Sequence, residues 1–146
     1  MNDLRELYQE MIFDHYRQPR NFGPLEGANR KAEGYNPLCG DKVKLYLLVV
    51  DGVISDASFE GSGCAISTAS ASLMTESLKG KREDEALNLL KKFHALVTGA
   101  ATPDDMGKLA VLAGVREFPQ RVKCATLAWH TMQAALENID EPVTTE

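Results

Sequence analysis

The feature that most constrains this fold is the dipeptide Asp51-Gly52, which lies between two apolar runs, Val43 to Val50 and Val53 to Phe59. Both central residues of a type I′ turn need positive φ, so Asp-Gly at this place predicts a β-hairpin with a two-residue loop. The odd-numbered positions of both runs are mostly apolar, and Lys42, Lys44, Asp56, Ser58 and Glu60 alternate with them. This alternation predicts a sheet that is covered on one side, and we expect helices to cover it.

The predicted hairpin brings two cysteines together. If the dipeptide forms the loop, the two runs pair so that Cys39 falls opposite Cys64. Directly opposed residues hold their Cβ atoms about 4.5–5.5 Å apart, and two thiolates at that separation can share a metal with Zn–S bonds of about 2.3 Å. Asp41 lies two residues from Cys39 on the same strand and therefore shares its face. The mouth of the hairpin is thus predicted to offer two sulfurs and an oxygen.

Apolar residues at the three-and-four spacing of a helix face predict the helices. They are an N-terminal helix that ends before Pro19, Cys64 to Leu78, Glu83 to Val97, a short helix capped by Thr102 to Asp105 that ends at Gly114, and a last helix from near Pro119 to Asn138. Residues 18–37 are rich in proline and glycine, which indicates a wrapping loop with a short edge strand at 31–34. The last six residues are typical of a frayed tail.

Two cysteines fall on predicted helices. Cys64 begins one helix, where the helix dipole favours a thiolate. Cys124 shares the apolar face of the last helix with Leu127 and should lie against the core near the N-terminal end. Either cysteine alone is more typical of a buried small side chain than of a ligand, and Asp41 alone is as typical of a strand start. Their joint placement favours a site.

Length and charge restrict the classes of protein. A chain of 146 residues is the size of one ordinary domain, and we expect residues 1–146 to form a single domain. The net charge of -5, without a basic block, argues against a nucleic-acid partner. A polar N-terminus and the lack of a stretch of about 18 apolar residues predict a cytoplasmic protein without a membrane segment. Three cysteines in a reducing compartment are typical of metal binding or catalysis.

The histidines and the tryptophan give weaker signals. His15, His94 and His130 share no spacing with the cysteines that would indicate a ligand set, and we expect each on a helix surface or at an interface. No histidine lies in a context that suggests a catalytic base, which argues against a cysteine hydrolase. Trp129 follows the apolar stripe of the last helix by one residue, so it is either an anchor for a partner or a flank of the core.

Four motifs carry a resemblance to a known family. They are Asn36-Pro37-Leu38-Cys39-Gly40-Asp41, the segment from Phe59 to Ser67, the segment from Arg121 to Trp129, and the segment from His15 to Gly23. Together they resemble the U-type iron–sulfur cluster assembly proteins, the IscU and NifU N-terminal-domain family. The resemblance implies an α+β fold of the SufE/IscU type, with a small, mostly antiparallel sheet and helices packed on one face. It also implies four metal ligands, Cys39, Asp41, Cys64 and Cys124.

Two departures point to the SufU-type branch of that family. IscU-type members carry a histidine immediately before the third cysteine, where this chain has Lys123, and they lack a segment that here runs from about Thr98 to Pro119. The branch implies a zinc-dependent sulfurtransferase that accepts persulfide sulfur from a SufS-type cysteine desulfurase on Cys39. A downstream scaffold or apo-protein acceptors would follow. The alternative is a scaffold that assembles and transfers a [2Fe–2S] cluster on the same ligands.

The implied ligand set suits this chemistry. Three thiolates and a carboxylate fit tetrahedral Zn²⁺, and the harder carboxylate makes the site more exchangeable than one of four cysteines. A thiolate that leaves the metal becomes a nucleophile able to attack a persulfide. Arg121 and Lys123 either support the charge of the thiolates, dock a partner, or form a solvated basic turn.

Overall fold

The computed structural model describes residues 3–100, 106–139 and 141–145. Its helices and strands, in chain order, are α1 (Asp3–Arg17), β1 (Arg30–Asn36), β2 (Asp41–Val50), β3 (Val53–Ser62), α2 (Ala65–Leu78), α3 (Glu83–Thr98), a 3₁₀-helix (Gly107–Glu117), α4 (Pro119–Leu136) and β4 (Val143–Thr144). The predicted α+β class is confirmed. The predicted cap at 102–105 lies outside the described residues.

The sheet has the order β3-β2-β1-β4 and is antiparallel except where β4 joins β1. Its core face carries the buried apolar side chains Val43, Leu45, Leu47, Val49, Ala57 and Phe59. Helices α2 and α4 pack against this side of the sheet, whereas Lys42 and Lys44 on the other side are exposed. The prediction of helices on one face is therefore confirmed.

A glycine in β1 sets how closely α4 approaches the sheet. A Cβ atom added at Gly34 would collide with Thr131 Oγ1 and lie 3.0 Å from Leu127 Cδ1, both on α4. Only a residue without a side chain fits there, so the backbone of β1 and α4 come into close contact. This contact places Cys124, on the same helix, beside the end of β1.

The hairpin loop was predicted correctly, but the register along the strands was not. Val50 pairs with Val53, and both loop residues have positive φ, 52° at Asp51 and 78° at Gly52. A bulge between Leu48 and Val49 then shifts the pairing by one residue. The predicted opposition of Cys39 and Cys64 is therefore wrong. The physical reason is that the buried residues of β3 change parity between Ile54 and Ala57, which requires one extra residue in that strand.

The C-terminal residues and β1 also differ from the prediction. The strand β4 pairs in parallel with β1 at Gly34 and Tyr35, and the backbone N–H of Thr145 donates to the carbonyl of Tyr35 at 3.2 Å. The prediction of a frayed tail is wrong for these residues, because the free edge of β1 offers unpaired backbone groups. β1 is longer than predicted because it pairs with β2 along all of Arg30–Asn36, and it is not the edge strand where β4 pairs with Gly34 and Tyr35.

The segment from about Thr98 to Pro119, which the resemblance implies is absent from IscU-type members, contributes to the core through its described residues. Its 3₁₀-helix buries Leu109, Val111 and Leu112 against α3 and neighbouring helices. Ile139, predicted on the apolar stripe of the last helix, is 44% exposed because α4 ends at Leu136.

Among the described residues, no helix is long and apolar enough to cross a membrane.

Two side chains turn out to be internal. Trp129 is 1% exposed and stacks on Phe93 with ring centroids 4.5 Å apart, and its Nε1–H donates to Ser70 Oγ at 3.1 Å. Trp129 belongs to the core and is not a partner anchor.

His15 is also buried, and its Nδ1 lies 2.7 Å from Ser72 Oγ on α2. The expectation of a surface position for His15 is wrong, because a small hydroxyl on α2 gives the ring a buried partner.

Candidate metal centre

Three of the four predicted ligands lie close together. The ligand atoms of Cys39, Asp41 and Cys124 are all within 4.8 Å of one another, and in the described part of the chain no other histidine, cysteine or acidic group of three does the same. They come from the β1–β2 turn, the start of β2 and the second turn of α4. Cys64 lies beside this group, with its Sγ 3.9 Å from Asp41 Oδ2.

Asp41 connects the two ends of the site. The residue is 1% exposed, and its Oδ1 accepts a hydrogen bond from the backbone N–H of Cys64 at 2.9 Å. Its other oxygen is the one that faces the thiol of Cys64. Gly63 makes this approach possible, since it has φ 147° and a Cβ atom there would lie 2.9 Å from Asp41 Cα. One carboxylate thus anchors the start of α2 and still presents an oxygen to the sulfurs.

Cys64 caps helix α2. Its φ and ψ of −74° and 165° are extended, and its Sγ accepts a hydrogen bond from the backbone N–H of Ser67 at 3.4 Å. The first turn of α2 carries no acidic residue, so no side chain of that turn opposes the positive end of the helix dipole at this sulfur. The predicted position at a helix start is confirmed.

Cys124 is the most enclosed of the three sulfurs, being fully buried in the second turn of α4. Burial raises the pKa of its thiol far above the ordinary value, and hydrogen bonding with Asp41 and Cys39 raises that pKa further. Without a nearby cation, this sulfur is therefore a neutral thiol. A bound cation would supply the opposite charge that a thiolate needs in such surroundings.

Cys39 is the exposed sulfur. It lies in a turn in which its backbone N–H donates to the carbonyl of Asn36 at 3.2 Å, and it is followed by Gly40 with φ 71°. Its neighbour Leu38 is 65% exposed. Cys39 is therefore accessible to a partner protein, whereas the neighbouring site residues Asp41 and Cys124 are buried.

Asn36 is a residue of the site that sequence reasoning did not single out. It is fully buried, lies opposite Asp41 in the β1–β2 ladder, and donates from Nδ2 to Cys124 Sγ at 3.6 Å. In the sequence it is the first residue of the motif from Asn36 to Asp41 and of an Asn-Pro pair, which is a common turn signal. The motif gave it no role apart from its position directly before the loop of Cys39.

The two basic residues near Cys124, Arg121 and Lys123, differ in exposure and in their contacts. Arg121 is exposed and lines a groove of about 970 Å³ with apolar residues of α1 and the 3₁₀-helix. Lys123 is half-buried, and its carbonyl accepts a hydrogen bond from Thr145 Oγ1 at 3.3 Å. Lys123 is therefore covered in part by the C-terminal strand, and neither residue has a recorded bond to a sulfur among the described contacts.

The donor set fits a thiophilic cation. Ligands of one tetrahedral zinc lie about 4 Å apart when the bonds are about 2.3 Å, which agrees with the 4.8 Å limit that encloses Cys39, Asp41 and Cys124. The Oδ1 atom of Asn36 is buried without a partner, which shows that the polar pocket behind the sulfurs is not fully satisfied by protein groups alone. Fold and site define a small α+β protein in which a turn, a strand and two helices bring three thiols and one carboxylate together.

Comparison with known proteins shows the family. The NifU-like N terminal domain family matches residues 7–143, nearly the whole chain. The protein therefore belongs to the NifU-like N-terminal domain family.

Relatives of known name support this placement. The chain is 42% identical over 133 residues to the zinc-dependent sulfurtransferase SufU of Bacillus subtilis, with 90% of each chain covered. It is 40% identical over 139 residues to the iron–sulfur cluster assembly scaffold protein IscU of Streptococcus pyogenes, which covers 94% of this chain and 87% of that protein. A crystal structure described as a putative iron–sulfur cluster assembly scaffold protein for the SUF system, from Fervidobacterium islandicum, superposes with a TM-score of 0.83 at 38% identity, covering 90% of this chain and 98% of that one.

Proposed function

We propose that this protein acts in iron–sulfur cluster assembly as a zinc-dependent sulfur acceptor that takes persulfide sulfur from a SufS-type cysteine desulfurase. The observation that carries the proposal is the placement of exposed Cys39 within 4.8 Å of buried Cys124 and Asp41. A nucleophile must reach its partner, whereas an anchor must stay in place. The site contains both kinds of sulfur side by side.

Cys39, Asp41, Cys64 and Cys124 would hold the zinc. When bound, the ion would supply positive charge that keeps the sulfurs deprotonated at neutral pH. Two of the sulfurs are held by their helices, since Cys64 caps α2 and Cys124 is buried in α4. Cys39 is held only by a turn, so it can move without disrupting a helix or a strand.

The transfer step is a thiol exchange. The Cys39 thiolate attacks the outer sulfur of the desulfurase persulfide and forms a new S–S bond. The original S–S bond breaks, and the cysteine of the desulfurase leaves as a thiolate with the electron pair. The outer sulfur is now a persulfide on Cys39, and the step needs no oxidant or reductant.

Metal content and desulfurase turnover test this proposal together. Untagged protein should be colourless, contain about one zinc per chain, and increase the rate at which a SufS-type desulfurase releases alanine from cysteine. The variant Cys39→Ser should lose the stimulation and keep its helical content. Protein that lacks zinc and leaves desulfurase turnover unchanged would overturn the proposal.

A second candidate function is a scaffold that carries a [2Fe–2S] cluster as cargo on the same four residues. The name of the Streptococcus pyogenes relative favours it, and thiolates with a carboxylate also suit iron. Reconstitution with iron and sulfide would then give brown protein that delivers its cluster to an apo-protein acceptor. Lys123, in place of the histidine of IscU-type members, supports the sulfur acceptor instead.

We also propose the setting in which the protein works. Its partners would be the desulfurase and, downstream, a scaffold or apo-proteins that receive the sulfur, with no role for nucleic acid or membranes. The reducing cytoplasm suits a site of three free cysteines. Residues 1–146 would act as one domain.

A further inference from the structure

We propose that Asn36 is a positioning residue that keeps Cys124 bound to the metal while Cys39 leaves to accept sulfur. The inference rests on the proposed function and deepens it. When Cys39 departs, the ion depends on the remaining three ligands, so the strength of the Cys124 bond decides whether the metal stays. Among the described residues outside the ligand set, Asn36 has the side chain that donates a hydrogen bond to that sulfur.

Asn36 touches three of the four ligands, each through a different group. Its carbonyl accepts the backbone N–H of Cys39 at 3.2 Å, and its backbone pairs with Asp41 across the ladder. Its side-chain Nδ2 donates to Cys124 Sγ at 3.6 Å. Because the residue is fully buried at the end of β1, these contacts are shielded from water and hold the turn, the strand and α4 in one arrangement.

The other side-chain atom shows that the amide is not there for packing. Asn36 Oδ1 is the one buried side-chain nitrogen or oxygen among the described residues that has no hydrogen-bond partner. An unpaired buried acceptor destabilises the fold, and an apolar side chain of the same size would avoid that penalty. An amide at this position is therefore explained by what Nδ2 does, which is to donate to the sulfur.

A hydrogen bond to a thiolate has a defined chemical effect. An N–H donor stabilises negative charge on sulfur and reduces its tendency to take up a proton or attack an electrophile. Applied to Cys124, the Nδ2–H of Asn36, 3.6 Å from the sulfur in a fully buried position, would support the negative charge of a metal-bound sulfur. The exposed Cys39 has no side-chain donor from outside the ligand set among the described contacts, which leaves it the more reactive sulfur.

The test uses two variants and a matched control in the full chain. Asn36→Leu removes the amide at nearly constant volume, and Asn36→Ala removes it without any steric conflict. The control is Thr75→Val, which removes the buried hydroxyl that donates to the Ser72 carbonyl at 2.8 Å on α2, away from the sulfurs. Zinc release to excess chelator, the spectrum of cobalt-loaded protein and the melting temperature of metal-free protein are measured for each.

Both Asn36 variants should release zinc at least about tenfold faster than the parent, the scale expected when a hydrogen bond to a charged group is lost. The thiolate-to-cobalt charge-transfer band should move to lower energy, because the sulfur loses its donor. Metal-free Asn36→Leu should melt no lower than the parent, since it also removes the unpaired oxygen. During turnover with desulfurase and cysteine, the variants should lose zinc while the parent keeps it.

Unchanged zinc release and an unmoved cobalt band in both Asn36 variants would overturn the inference. The inference would also be overturned if Asn36→Leu lowered the melting temperature, relative to the parent, by the same amount in metal-free and in zinc-loaded protein. That result would mean that Asn36 supports the fold and not the metal site. Failure of the proposed function looks different. A zinc-loaded parent that never acquires sulfur would refute the sulfur acceptor, while the zinc-release and cobalt measurements would still decide the role of Asn36.

Discussion

The carboxylate of Asp41 accepts a hydrogen bond from the backbone N–H of Cys64 at 2.9 Å. This contact ties the first residue of β2 to the cap of α2, and it leaves the second oxygen of Asp41 facing the sulfurs. The same side chain therefore supports the fold and the site. Substitutions at Asp41 can separate these two roles.

Asp41→Asn should keep the fold and weaken the metal site. The amide oxygen can still accept the Cys64 N–H, so the free energy of unfolding of metal-free protein should stay within about 1 kcal/mol of the parent. Zinc exchange should become faster, because a neutral amide is a poorer ligand than a carboxylate. Isotope exchange of bound zinc, followed by mass spectrometry, measures the rate.

Asp41→Ala should damage both roles. It leaves the Cys64 N–H without its partner, which should cost about 1–3 kcal/mol in urea unfolding of the metal-free protein. If Asp41→Asn and Asp41→Ala were equally stable and exchanged zinc at the parental rate, Asp41 would be neither anchor nor ligand.

Gly63→Ala should disturb the site through the backbone. The added Cβ would lie 2.9 Å from Asp41 Cα at a residue with φ 147°, so the strain should lower the melting temperature and zinc affinity together. Gly27→Ala is the matched control, because its φ is 83° and nothing lies within 4 Å of the added atom. It should cost stability without changing zinc affinity. Equal zinc affinities in the two variants would count against the role of Gly63.

His15 should make stability depend on pH. Burial is the main cause that lowers the pKa of His15 below its ordinary value of 6.5, with the charge of Arg20 lowering it further and Glu76 opposing both. The unfolded chain therefore binds a proton first as the pH falls, and this contribution to stability, fully present above 6.5, is lost as the pH falls toward the folded pKa.

Urea unfolding between pH 8 and 5 tests this dependence, with His15→Asn as the comparison because an asparagine can still bond Ser72. The difference in unfolding free energy between the parent and His15→Asn should shrink as the pH falls. A difference that stays constant over this range would show that His15 does not titrate differently on folding.

Removing zinc should lower the melting temperature. The four proposed ligands come from the β1–β2 turn, β2, the cap of α2 and α4, so a bound ion would connect segments that are distant in the chain. Binding at about a thousandfold excess over Kd stabilises a protein by about 4 kcal/mol. A chelator should therefore shift the melting curve of the parent by several degrees and leave that of Cys124→Ser nearly unmoved. Identical shifts in the two proteins would place the metal elsewhere.

Local signals predicted much of this fold. Asp51-Gly52 predicted the hairpin loop because Asp and Gly adopt the positive φ of a two-residue turn more readily than most residues, whatever their distant contacts. The limits of α2, α3 and α4 followed from apolar spacing and from the breakers Gly80 and Pro119 to within a few residues. Cys64 at the cap of α2 and Cys124 on the buried face of α4 followed from the same patterns.

Features that depend on distant contacts could not be predicted. The bulge at Leu48 and Val49 arises from how β3 meets the core, and β4 pairs with β1 across more than a hundred residues of chain. The buried position of His15 depends on a hydroxyl of α2 that nothing near it in the sequence indicates. Cys39, Asp41 and Cys124 still lie within 4.8 Å of one another, and the shifted register places Asp41 beside Gly63 and so beside Cys64.

The most direct test of the sulfur-acceptor account locates the transferred sulfur. Zinc-loaded protein is incubated with a SufS-type desulfurase and cysteine, the persulfides are trapped by alkylation, and the peptides are mapped by mass spectrometry. The account predicts an added sulfur on Cys39, none in Cys39→Ser, and retained helical content in that variant. Sulfur found on Cys64 or Cys124 instead would contradict the assignment of Cys39 as the acceptor.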